Sequence, residues 1–415
     1  MKMTKWFRLA CAGAALSAAL TASALAADFT ACAEHLSDLG LFRGTEQSYE
    51  LDRAPTRAEA AAMLVRLLGA EDEALALEYT APFTDLESWE QPYVQYLYAG
   101  GLTTGASATT FEPEQPCTAQ MYAAFLLRAL GYTEADGDFT YDNAVAAAQQ
   151  IGVYDPAAVD TADFLRDDVA AASFTALSCT PDGAEGTLLD RLTGQGAVSA
   201  EAAAPYQALF ADYASYRADT AGMDTLTGFS ISSSFAEPVV LQRGGAELLT
   251  LQTQETMAFD KAAGAMQADR VLTLSAPDVA QTSAAAQTRL RDGTLYRRLD
   301  GGAWAEQLVS EAEQARLLAA YAPVPLAYVD AIRRETDGLW RISCETLPPL
   351  YRELLWPVAS AAGGSGEAAY SDAEIVHQTA DGRIVSQELT AAFEQDGISG
   401  NPVLRSTLDR ADAPA

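Results

Sequence analysis

Two arginines stand where a helix has no use for them. Arg57 in PTRAEAAAMLVRLLG (55–69) and Arg166 in LRDDVAAASFTALS (165–178) each fall in the first turn of an expected helix, where the helix dipole disfavours a cation. A guanidinium beside a helix N-terminus can grip an anion, its planar fork matching a carboxylate. The same position also suits a solvated arginine or one paired with an acidic neighbour, and these alternatives stay open. Other chemistry is sparse. The two histidines, His35 and His377, lie far apart, and there is no HExxH, GxSxG or Walker loop. His35 reads as a surface or half-buried helix residue and His377 as a surface residue of a strand. Cys32, Cys117, Cys179 and Cys344 are isolated, with no spacing that suggests zinc. No metal or other cofactor is expected, and one disulfide or four free thiols would both fit. Carboxylates are abundant but sit in no recognisable frame for a glycosidase-like pair, so the chain is expected not to be an enzyme. A net charge of -31 makes nucleic acid a poor partner.

The elements that must position the arginines recur. LGLFRG (39–44), GGLTTG (100–105) and IGVYDP (151–156) each follow a helix-length stretch, and Gly40, Gly101 and Gly152 lie about 61 and 51 residues apart. Such a period marks a supersecondary unit that buries its apolar face only by stacking on its neighbours. Each unit reads helix, tight turn, loop, helix. In the first helix of the second unit Trp89, Tyr93, Tyr96 and Leu97 recur at helical spacing. The second helix explains residues 55–69. Thr56 is the N-cap with Glu59 at N3, a capping box. Ala58, Ala61, Ala62, Val65 and Leu68 supply a buried stripe, and Gly69 the left-handed stop. Thr118 repeats the cap, and Arg166 and Asp168 stand where Arg57 and Glu59 do.

This pattern resembles the S-layer homology domains, three tandem copies with the signature F-x-D-x-x-x-W, helix, G-(I/L)-x-x-G, F-x-P, T-R-A-E, helix. Phe83, Asp85 and Trp89 match the opening of copy two, Gly101 and Gly105 its turn, Phe111-Glu112-Pro113 its F-x-P, and Thr56-Arg57-Ala58-Glu59 the T-R-A-E of copy one. The resemblance implies an all-α three-repeat bundle that binds acidic, often pyruvylated, secondary cell-wall polysaccharide of Gram-positive-type bacteria. Its site would hold Arg57 and Arg166, with Glu59 and Trp89, and the T-R-A-E arginine would be a main ligand contact. Copy two departs with Thr118-Ala119-Gln120-Met121, which lacks both arginine and glutamate. Copy three has Leu165 for the threonine, and copy one has Leu51 where F-x-P would place proline.

The chain divides accordingly. Residues 1–26, with a basic start, an Ala/Leu run and Ala24-Leu25-Ala26, read as a secretory signal peptide. Three repeats follow at 27–80, 81–138 and 139–199, then a helical linker at 200–225. No later stretch is long and apolar enough to cross a bilayer. Residues 226–415 alternate apolar and polar residues between turns at Asp292-Gly293, Asp300-Gly301-Gly302 and Asp381-Gly382. They are expected to form an α+β domain on an antiparallel sheet, with helices over 310–321 and near 348–359 and a GGSG loop at 363–366. This half resembles the half-barrel of LolA-like lipoprotein carriers, which implies an apolar concavity for a lipid or hydrophobic peptide. Three functions follow: a wall-anchored surface protein displaying a ligand-binding domain, a tethered carrier, or an enzyme on wall polysaccharide.

Overall fold

Threonine caps, alanine-rich helix bodies and glycine stops build the N-terminal region. The computed structural model describes residues 29–44, 48–277, 279–363 and 368–411; the signal peptide reading and most of the 363–366 loop lie outside them. The helices are α1 (Thr30–Asp38), α2 (Arg57–Leu67), α3 (Glu71–Ala76), α4 (Gln91–Ala99), α5 (Ala119–Ala129), α6 (Ala144–Ile151), α7 (Arg166–Ser178) and α8 (Leu188–Gly194). Thr56 accepts from the Glu59 amide while Glu59 accepts from the Thr56 amide, the expected capping box. Thr118 caps α5. Gly40, Gly101 and Gly152 follow α1, α4 and α6 with positive φ. Gly105 has a stricter need: with φ at 78°, a Cβ there would sit 2.2 Å from the Phe83 ring.

Helix pairing runs across the segments rather than within them. α1 packs on α7, α2 on α4 and α5 on α6, while α5 also touches α2 and α7. The first helix of each segment thus lies on the second helix of the preceding one, and α1 on α7 closes the ring. Ala58, Ala60, Ala61, Ala62 and Ala170, Ala171, Ala172 are buried, because small side chains let central helices approach closely. Of the expected stripe on α2, Ala58, Ala61, Ala62 and Val65 are buried and Leu68 is half-buried; burial extends beyond it to nearly the whole circumference, as for a core helix. Trp89 also moves. It is exposed in the turn before α4 and takes no part in the apolar face that Tyr93 and Leu97 bury.

Residues Ala27–Ala211, with Pro325–Ala327, form one compact unit. Asp212–Val324 and Tyr328–Ala415 form the other, the division falling inside α9 (Ala200–Thr220). The second unit is a 13-stranded antiparallel sheet. β1 (Gly228–Phe235) is followed by β2 (Val239–Arg243), β3 (Ala246–Asp260), β4 (Ala265–Ala276), β5 (Val279–Arg291), β6 (Thr294–Leu299) and β7 (Ala305–Leu308). After α10 (Glu311–Leu318) come β8 (Ala331–Thr336), β9 (Leu339–Thr346) and α11 (Arg352–Ala362). β10 (Ala369–Ala380), β11 (Arg383–Gln395), β12 (Ile398–Gly400) and β13 (Val403–Ala411) end the chain. The order β7-β6-β5-β4-β3-β1-β13-β11-β10-β9-β8 sets the first strand beside the last, and β2 and β12 pair off this path. Asp292-Gly293 and Asp381-Gly382 have positive φ at both residues, the type I′ hairpin geometry expected there.

His377 is corrected from surface to core. It is fully buried, on the same face of β10 as Ile375 and Thr379. The Tyr216 hydroxyl lies 2.9 Å from its Nδ1 and Gln387 Oε1 lies 2.9 Å from its Nε2. Burial lowers its pKa to about 4, against an ordinary value of about 6.5. The unfolded chain therefore takes up a proton between these values that the fold refuses. Stability from this site is complete above about pH 6.5 and falls as the pH drops toward 4, by about 3 kcal/mol in all. Histidine NMR should show a neutral ring at pH 5; an imidazolium there, with no stability loss, would contradict the assignment.

Candidate functional site

The best candidate is built from helix starts and the loops that abut them. Asp85 holds the first loop: its carboxylate accepts from the amides of Phe111 at 2.9 Å and Glu112 at 2.8 Å. Burial works against its charge, but those amides prevail and keep its pKa below the ordinary range. Glu112 takes φ of 59°, which turns the carbonyls of Phe111, Pro113 and Gln115 toward α2. The Arg57 amide donates to Gln115 O and the Ala58 amide to Pro113 O. The Arg57 side chain then lies along this loop, with Nε donating to Phe111 O at 2.8 Å and the guanidinium 4.8 Å from the Phe111 ring centre.

The same construction recurs at Arg166. Its amide donates to Arg53 O, the Asp167 amide to Leu51 O, and Nε to Tyr49 O at 3.0 Å. Glu50 takes φ of 51°. Tyr49-Glu50-Leu51 is thus the structural counterpart of Phe111-Glu112-Pro113. The match was hidden in sequence because what the arginine uses is a carbonyl, which any residue supplies. Where the proline is missing, Leu51 O accepts the bond that Pro113 O accepts in the other loop.

The two arginines differ in what faces them. Arg166 Nη1 lies 3.8 Å from Glu59 Oε2. Glu59 is itself held by Arg53, with contacts of 2.8 and 2.6 Å, and by the Thr56 amide. Burial opposes the charge on Glu59, but Arg53 and that amide win and lower its pKa. Burial also lowers the pKa of Arg166. Opposite Arg57, the residue at the position of Glu59 is Met121, whose Sδ lies 3.2 Å from Nη1. Among the described residues no carboxylate comes within salt-bridge reach of Arg57. Arg57 is 7% exposed; among the described residues its Nη2 has no acceptor, and it keeps some solvent contact. The degenerate helix start in the second segment therefore leaves the Arg57 guanidinium with no carboxylate bonded to it, although the nearby Asp85 carboxylate feels its charge. Tyr141, 44% exposed, adjoins this place through Gln120, whose Nε2 donates to Tyr141 O at 2.7 Å.

Of the sequence-derived candidates, Glu59 joins Arg166 and Arg53 in one cluster and Arg57 sits in the other. Trp89 has no interaction with either arginine among the described residues. Thr118 caps α5 without a carboxylate at N3. Reasoning from sequence missed Met121 and Tyr141; the only signal was the departure from T-R-A-E itself. Among the described residues Cys32, Cys117, Cys179 and Cys344 are free thiols.

The loop held by Asp85, the turn at Gly101 and Gly105 and the start of α5 lie within one stretch, and residues 82–118 match the S-layer homology domain. The chain carries an S-layer homology domain. Arg57 and Arg166 lie outside the matched residues of that domain. Relatives include the middle cell wall protein of Brevibacillus brevis, 26% identical over 140 residues, 33% of this chain and 13% of that protein. A cell surface protein of Thermoanaerobacter kivui is 28% identical over 131 residues, 31% of this chain and 17% of that one. An endoglucanase of a Bacillus species is 37% identical over 62 residues, 14% of this chain and 7% of the enzyme. The chain thus spans less than a fifth of the length of each. A solved beta-barrel-like protein of Brucella abortus, from a domain of unknown function, covers 46% of this chain at 9% identity. Its TM-score is 0.18, too low to bear on the fold. With the S-layer homology domain goes the character of a secreted cell-surface protein. Among the described residues no helix is long and apolar enough to cross a membrane.

Proposed function

We propose that this is an exported surface protein whose three helical segments act as S-layer homology repeats. They attach it non-covalently to an acidic secondary cell-wall polysaccharide, and the sheet unit is displayed for ligand binding. The observation that carries the reading is the Arg57 guanidinium, ringed by a carbonyl, an aromatic ring and a thioether but by no carboxylate. In a chain of net charge -31, long-range attraction for an anion is absent. A carboxylate-bearing sugar is captured at short range, by charge-assisted bonds to Arg57 with the Tyr141 ring offering a face to the sugar. Arg166 serves as a weaker second contact because Glu59 already offsets its charge.

Attachment is the chain's role in this reading, and no catalysis is assigned to it. The carrier alternative has less to rest on: a cavity of about 690 Å³ is lined by Val239, Val240, Phe393 and Val403 but equally by Glu237, Gln242, Glu394 and Arg405, a mixed wall rather than an apolar one. The test is co-sedimentation of the full chain with purified walls before and after chemical reduction of wall carboxyls to alcohols. Native walls should pellet the protein and carboxyl-reduced walls should not. Equal pelleting by both would overturn the reading.

A further inference from the structure

Under α10 and α11 lies a cavity of about 130 Å³ with an unusual lining for so acidic a chain: Arg297, Arg316 and Arg352 beside Leu295, Val309 and Leu317. Arg297, on β6, is 4% exposed. Its Nη2 donates to Glu353 Oε2 at 2.6 Å, while Nε and Nη1 are buried with no hydrogen-bond partner. A buried donor left without an acceptor is costly, and more so when charged.

The carboxylates that line the cavity do not answer this need. Glu353 gives its oxygens to Arg270 and Arg297. Glu313 accepts from the Ser310 amide at 2.8 Å, as the capping box of α10. Neither carboxylate therefore reaches the two buried N–H donors that Arg297 leaves open.

We propose that this cavity binds a small organic monocarboxylate, its carboxylate accepting from Arg297 and its apolar end lying against Leu295, Val309 and Leu317. A carboxylate is the anionic acceptor whose two oxygens suit a guanidinium's donors, whereas the apolar walls disfavour a fully polar phosphate. An apolar cavity of ~150 Å³ admits benzene, so the ligand has about the size of benzoate. This site is separate from wall attachment and does not depend on it.

The experiment is thermal-shift and calorimetric titration of the full chain with sodium benzoate, with benzamide and inorganic phosphate as comparisons at matched ionic strength. Benzoate should raise Tm saturably, and the other two should not. Arg57→Ala should leave the benzoate response unchanged. Arg297→Lys should weaken binding roughly tenfold. Leu317→Trp, which fills the cavity without touching a charge, should abolish binding while the circular dichroism spectrum stays that of the parent, and it decides the matter should Arg297→Lys fail to fold. A benzamide response equal to that of benzoate, a preference for phosphate, loss of the response in Arg57→Ala, or undiminished binding by Leu317→Trp would each overturn the proposal.

Discussion

Replacing Glu353 with alanine should lower the stability of the sheet unit by about 3–5 kcal/mol, the usual consequence of removing one partner from a buried ion cluster. Arg270, Glu255, Glu353 and Arg297 are all nearly inaccessible to solvent. Arg270 pairs with Glu255 and, at 2.9 Å, with Glu353; it also donates to Thr288. Glu353 reaches Arg297 as well, and Trp356 lies within 6 Å of both guanidinium groups. Burial opposes the Glu353 charge, but Arg297 and Arg270 together keep its pKa low. Without that carboxylate two cations remain in the core with only Glu255 to answer them, and Arg297 loses its carboxylate partner. The comparison is Arg341→Ala, which removes a surface pairing with Glu335 and Glu374 and should cost under about 1 kcal/mol. Urea unfolding followed by fluorescence of the buried Trp340 and Trp356 measures both. Equal losses would mean that the cluster is no more than another surface network.

Met121→Glu should move two quantities in opposite directions. A glutamate at N3 of α5 would complete a capping box with Thr118, as Glu59 does with Thr56, and raise stability by about 0.5–1 kcal/mol. It would also bring a carboxylate to the Arg57 guanidinium, whose Nη1 now lies 3.2 Å from the Met121 sulfur. An internal partner competes with an external one, so affinity for walls should fall about tenfold. Thermal unfolding and wall co-sedimentation of one variant test both. Stabilisation with unchanged wall affinity would show that an acid at this position does not compete for Arg57.

Local chemistry carried much of this into the sequence. The Thr56–Glu59 box, the glycine stops and the Asp-Gly hairpins could be placed because each rests on residues a few positions apart. The partners of the arginines could not, since Arg57 meets Met121, and Arg166 meets Glu59, only after the helices close into a ring. Tyr49 went unrecognised because its contribution is a backbone carbonyl. His377 and Arg270 were legible in another way. Each falls on the inward phase of its strand, His377 with Ile375 and Thr379, Arg270 with Ala268 and Leu272. Reading His377 as exposed let residue type override phase, and alternation was the better guide.

Whether Arg57 captures wall carboxylate is tested most directly by equilibrium co-sedimentation of the parent chain, Arg57→Ala and Arg166→Ala with the same purified walls. Loss of charge-assisted bonds worth about 1.5–3 kcal/mol predicts roughly ten- to hundredfold weaker binding by Arg57→Ala, and a smaller loss by Arg166→Ala. Parent-like binding by Arg57→Ala, with its fold intact, would contradict the account.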